Sequence, residues 1–119
     1  MDVAAKLQIK PGQRIATVAA PEDVAPIAGD GTSAADTPAT ADVVVAFVRS
    51  RAELTTVAAP AIEAARADKL AWIAYPKAGR LGTDLNRDIL AASLTGQGVQ
   101  PVRQVALDEV WSALRFRPA

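Results

Sequence analysis

A chain of 119 residues with thirteen cations and thirteen anions has the size of one domain, and such a domain buries roughly two thirds of the surface its unfolded chain exposes. Half of its residues are hydrophobic and 22% are charged, which excludes wholesale disorder, and the zero net charge gives no reason to expect a nucleic-acid or membrane-surface partner. There is no cysteine and no histidine, which excludes disulfides, thiol nucleophiles, Cys/His zinc sites and histidine general bases.

Only 4% of residues are aromatic, so Ala, Val, Leu and Ile must fill most of the core. The start, "MDVAAKLQIKPGQR", carries an early acid and lacks the long apolar stretch of a signal peptide. No apolar run approaches the roughly 20 residues needed to span a bilayer. The expectation is a soluble, cytoplasmic, single domain over residues 1–119.

In chain order, "KLQIKPGQRIATVAAPEDV" reads as a lead-in, a turn at Pro11 and Gly12, and a strand over residues 14–19 ending at Pro21. Its apolar residues do not alternate cleanly, as suits a strand covered on both faces. Residues 22–28 suit a short helix, limited by Pro26. "AGDGTSAADTPATAD" is punctuated by Gly and Pro and has room for one short edge strand. Asp42 to Val48 is the clearest strand, rich in β-branched residues and expected in the middle of the sheet.

A helix is expected next, with Ser50 at its N-cap and Glu53 completing a reciprocal capping box. Leu54, Val57, Ala58, Ala61, Ile62 and Ala65 form its apolar stripe. Pro60 lies inside it, so a kink or two short helices are predicted. Leu70 to Tyr75 is a second buried strand. Thr83 is the predicted cap of a helix over residues 84–94, with Asp84 suiting its dipole and Gly96 or Gly98 stopping it. Residues 101–107 and 110–117 read as an antiparallel pair of strands joined at Asp108 and Glu109. Alternating strands and helices argue for an open, mostly parallel sheet of five to six strands, ended by that hairpin.

The stretch "WIAYPKAGRLGTDLNRDIL" runs from strand through a glycine loop to a helix start, the order of a phosphate-binding loop. It is not a P-loop. That pattern needs Lys and then Ser or Thr directly after its last Gly, whereas Gly82 is followed by Thr83 and Asp84, and Lys77 precedes both glycines.

The order of elements is similar to the closing half of a class I methyltransferase. More closely, "GQRIATVAAPEDV", "LAWIAYPKAGRLG" and "VQPVRQVALDEVWSALRFRP" resemble a small bacterial family, domain of unknown function 3052. The resemblance implies a three-layer, Rossmann-like (methyltransferase-like) α/β domain without an assigned reaction. Methyltransferases end their first strand in a glycine-rich turn and their second in a ribose-binding acid. Here the first strand ends "AAPEDV", where Pro21 fixes φ and removes a donor, and Gly29 and Gly31 come too late. S-adenosylmethionine-dependent methyl transfer is therefore the least supported activity, and no cofactor is expected.

Ligands of open α/β sheets bind beyond the carboxyl ends of the parallel strands. That edge is predicted to gather Arg49, Ser50, Arg51, Lys77, Arg80 and Thr83, a candidate site for phosphate or another anion. The competing expectation is that these cations pair with Glu22, Glu53, Asp84, Asp108 and Glu109, giving exposed ion pairs worth roughly 0 to 1 kcal/mol each. The near-equal number of acids favours that pairing. Asp84 and Asp88 sit one helical turn apart, but Arg87 and the helix start account for both without a metal.

Trp72 and Trp111 both read first as core or edge packing, and an interface role for Trp111 is the alternative. On the last strand Trp111, Ala113 and Arg115 share a face, and a Trp with an Arg is the pattern of an interface anchor. Two functions of different classes follow. One is a non-catalytic domain that binds a protein partner or a second copy of itself through the hairpin edge. The other is a small-molecule anion binder, or an enzyme on an acidic metabolite, with Ser50 lacking any histidine to activate it.

Overall fold

The computed structural model describes residues 3–24, 26–77 and 79–119. Three helices and six strands follow in the order α1 (Val3–Lys6), β1 (Arg14–Val18), β2 (Ser33–Ala34), β3 (Val43–Phe47), α2 (Ala59–Arg66), β4 (Leu70–Pro76), α3 (Arg87–Thr95), β5 (Val99–Ala106) and β6 (Trp111–Pro118). They build an α/β domain around one mixed sheet, ordered β2-β1-β3-β4-β6-β5. The first four are parallel, and β6 runs antiparallel to both β4 and β5.

The sheet is central because its middle strands are apolar on both faces. Every residue from Val43 to Val48 is fully buried. Val44, Ala46, Ile73, Tyr75, Leu114 and Phe116 face α2 and α3, whose Ala61, Ile62, Ala65, Leu90 and Leu94 close one core. Val43, Val45, Phe47, Trp72 and Trp111 face the other way, where Leu7 and Ile27 from loops cover them beside α1. Trp72 is core, as expected, and its indole Nε1 donates to the Leu7 carbonyl at 3.0 Å. That bond ties the lead-in to the central strand.

On this second face the only helix among the described residues is the single turn α1, and the turn expected at Pro11 and Gly12 forms after it. The helix expected over residues 22–28 does not form among the described residues: 22 and 23 make a turn, and 26–29 are irregular. Ala25 lies outside the described residues. The edge strand anticipated in the small-residue stretch is β2, paired with β1 at Arg14 and Ile15.

The helix expected from Ser50 is two pieces, a 3-10 turn over Arg51–Thr55 and then α2. Pro60 falls in the first turn of α2, where its missing N–H leaves no helical bond unmade. The capping box is not reciprocal. Ser50 makes no capping bond, while Glu53 Oε1 accepts the Arg49 N–H at 2.6 Å.

The third helix also starts later than expected. Asn86, not Thr83, is its N-cap, and Asn86 Oδ1 accepts from Ile89 N at 2.8 Å. Gly96 closes it, as predicted. The hairpin forms with β6 inside and β5 on the edge. Its turn is set by Asp108 Oδ1, which accepts from the Val110 and Trp111 N–H groups at 2.8 and 2.7 Å.

Candidate functional site

Beyond the carboxyl ends of β3 and β4, two loops are bonded to one another. The Thr83 hydroxyl donates to the Arg49 carbonyl at 2.8 Å and accepts the Leu85 N–H at 3.0 Å. Asp84 Oδ1 accepts the Arg51 N–H at 2.9 Å. The loop after β4 is also held to the hairpin, because Lys77 N donates to the Val110 carbonyl at 2.7 Å. Residues 49–51, 77, 83–84 and 110 thus share one edge. Arg80 is tied in by its own N–H on the Lys77 carbonyl at 2.8 Å.

Three acids of this edge accept from backbone donors, while Glu22 and Glu109 make no side-chain hydrogen bond or ion pair among the described residues. Glu53 holds Arg49 N, Asp84 holds Arg51 N, and Asp108 holds Val110 N and Trp111 N. A carboxylate oxygen that satisfies loop N–H groups stabilises the loop strongly, since charge-assisted bonds exceed neutral ones. The expected ion pairs do not form among the described residues. The three salt bridges lie elsewhere, at Arg14–Asp42, Arg87–Asp88 and Arg117–Asp68. Arg51, Lys77 and Arg80 make no side-chain hydrogen bond or ion pair among the described residues.

Arg49 has a different partner. Its guanidinium carbon lies 5.9 Å from the centre of the Trp111 ring, and that ring packs edge-on against Phe47 at 5.2 Å and 76°. Trp111 is therefore a core residue, 2% exposed. The packing reading of Trp111 agrees with this, since Phe47 and Arg49 cover its ring. Arg115 is half-buried on the same face, its Nη1 donating to Gln8 Oε1 at 2.7 Å. Thr83 braces the two loops, because its hydroxyl hydrogen is given to the Arg49 carbonyl.

Two features of this edge carried no sequence signal. Ala19, just past β1, adopts a left-handed φ of 57°. This turn is made without glycine, at a cost of roughly 1 to 2 kcal/mol. Beside it a cavity of about 310 Å³ is bounded by Ile15, Thr17, Ala20, Ile27 and Phe47. Under α3, the Tyr75 hydroxyl accepts from Gln104 Nε2 at 2.8 Å. Burial, foremost, pushes its pKa up, against an opposing pull from Arg87.

Asp84 and Asp88 do not form a metal pair, since one accepts Arg51 N and the other pairs with Arg87 at 3.4 Å. Among the described residues no group of three or more metal-ligating side chains comes together, and no helix is long and apolar enough to cross a membrane. No protein-family model, curated protein or solved structure matches this chain.

Proposed function

We propose that this is a Rossmann-like, non-catalytic domain that binds a small anion, phosphate or carboxylate, at the carboxyl edge of its parallel strands. Arg49, Arg51, Lys77 and Arg80 supply the charge, while Ser50 and Thr83 lie in the loops that carry it. The observation that carries the reading is that Arg51, Lys77 and Arg80 make no ion pair among the described residues, while Glu53, Asp84 and Asp108 each accept from backbone N–H groups. The place also fits, because open α/β sheets bind ligands at this edge. The insertion of β6 beside β4 supports the Rossmann-like part, since it fits the closing hairpin implied by the methyltransferase and domain-of-unknown-function 3052 resemblance.

The test is thermal unfolding with sodium phosphate, sulfate and nucleoside phosphates. A ligand at about 100 times its dissociation constant stabilises by roughly 2.7 kcal/mol. The Lys77→Ala/Arg80→Ala variant should keep its fold and lose that response. A melting temperature unmoved by all three anions would overturn the proposal.

A second reading, a protein partner or self-association through the hairpin, draws on the edge position of β5 and on Val102, which is 46% exposed. Three features of the same strand work against added pairing: Pro101, the register shift between Pro101 and Arg103, and Arg103 itself. Light scattering after size exclusion decides it, a monomer at all concentrations being incompatible with self-association.

A further inference from the structure

At the opposite end of the sheet, where β1 and β4 begin, Gln8, Lys10, Gln13, Asp68, Leu70 and Arg115 line a cavity of about 310 Å³. Its hydrogen-bonding capacity is lopsided. Gln8 Oε1 accepts from Arg115 Nη1 at 2.7 Å, and Gln13 Oε1 accepts the Lys10 backbone N–H at 2.9 Å. A guanidinium and a backbone N–H can only donate, so both amide orientations are fixed, and each Nε2 is the arm turned away from its partner. The one carboxylate in the lining is already engaged, Asp68 Oδ1 accepting from Arg117 Nε and Nη2 at 3.3 Å each.

The donors, in contrast, are uncommitted. The Lys10 ammonium and the amide nitrogens of Gln8 and Gln13 make no hydrogen bond among the described residues. Arg115 Nε is buried and has no acceptor there. Arg103 stands directly opposite Arg115 in the β5–β6 register, and neither forms an ion pair among the described residues. A buried guanidinium donor without an acceptor and two like charges facing one another both cost stability. A bound oxyanion offsets the facing like charges.

We propose that this pocket binds a small molecule through a phosphate or carboxylate group, held by Lys10, Arg115 and the two glutamine amides, with Arg103 adding charge. The volume is at the lower end for ligand cavities, so the molecule is metabolite-sized. Nothing in the proposal depends on the site at the carboxyl edge.

The experiment is calorimetric titration of the full chain with inorganic phosphate and with citrate. It is run on the natural sequence, on Lys77→Ala/Arg80→Ala, and on that variant further carrying Lys10→Ser or Arg115→Gln, so that the carboxyl-edge site does not contribute to the comparison. At least one probe should bind, and which one does so distinguishes a phosphate from a carboxylate ligand. Losing a charge-assisted contact should weaken binding by about tenfold or more in Lys10→Ser and Arg115→Gln. One anion site should remain in the Lys77→Ala/Arg80→Ala variant, and it is this site that Lys10→Ser and Arg115→Gln weaken. Lys10 is exposed, so its replacement decides the matter even if Arg115→Gln does not fold. Absence of binding by both probes, or affinity that survives Lys10→Ser, overturns the pocket. Loss of all binding in the Lys77→Ala/Arg80→Ala variant overturns it too while leaving the carboxyl-edge site standing.

Discussion

The carboxylate of Asp84 accepts the backbone N–H of Arg51 at 2.9 Å, joining two loops 33 residues apart in sequence. With the Thr83 hydroxyl on the Arg49 carbonyl, it holds the loops after β3 and β4 in one arrangement. The same bond turns Asp84 Oδ1 to a backbone donor, and among the described residues Asp84 forms no ion pair with a neighbouring cation.

Asp84→Ala should lower stability by about 1 kcal/mol, the usual net worth of such a bond at a solvated position. Asp84→Asn keeps the accepting Oδ1 and should stay close to the natural protein. Urea unfolding of both variants separates the bond from the charge. Equal loss in the two would mean that charge, not the hydrogen bond, matters at this position.

Trp111 carries more of the fold than its place at the start of a hairpin strand implies. It is buried against Phe47 with Arg49 over its ring. Trp111→Ala should cost about 3 to 5 kcal/mol, a cavity-forming loss. Arg49→Ala should cost no more than about 1 kcal/mol, the range of an exposed cation–π contact. A denaturant midpoint for Trp111→Ala close to that of the natural chain would show that the ring is not a core anchor.

Tyr75 makes stability depend on alkaline pH. Its folded pKa is raised by burial, so the folded state holds the phenol proton more tightly than the unfolded chain does. Stability should be flat below the ordinary tyrosine value, about 10, and fall as pH rises through it, because there the unfolded state binds fewer protons. Tyr75→Phe should remove that alkaline slope and, at neutral pH, cost about 1 kcal/mol for the lost Gln104 bond. The chain has a single tyrosine, so tyrosinate absorbance reports this group directly. Ionisation at or below pH 10 in the folded protein would contradict the burial argument.

The central strands were legible because both their faces are apolar, and a run such as "VVVAFV" has no solvated side to place elsewhere. The helix stop at Gly96 and the C-terminal hairpin were legible for similarly local reasons, turn and capping chemistry within a few residues. Helix starts were read less well. Ser50 and Thr83 both have the right side chain for a cap, yet neither caps a helix: Thr83 is taken by Arg49 in a distant loop, and α3 waits for Asn86. Residues 22–28 were misread because Ile27 is needed over Phe47 and Trp72, and covering that core outweighs a weak local preference for helix.

The candidate site divides along the same line. Sequence order alone placed Arg49, Arg51, Lys77 and Arg80 on one edge, since parallel strands send their following loops the same way. Which donors the neighbouring acids meet was decided only by tertiary structure, which aimed Glu53, Asp84 and Asp108 at backbone N–H groups. The sequence by itself determined an α/β chain with buried central strands and a closing hairpin, because hydrophobic pattern and turn chemistry act over short spans. Tertiary structure decided that Trp111 packs on Phe47 beneath Arg49, that Arg115 bonds to Gln8, and which carboxylate meets which donor. Those outcomes depend on partners tens of residues away, whose approach only the folded sheet sets.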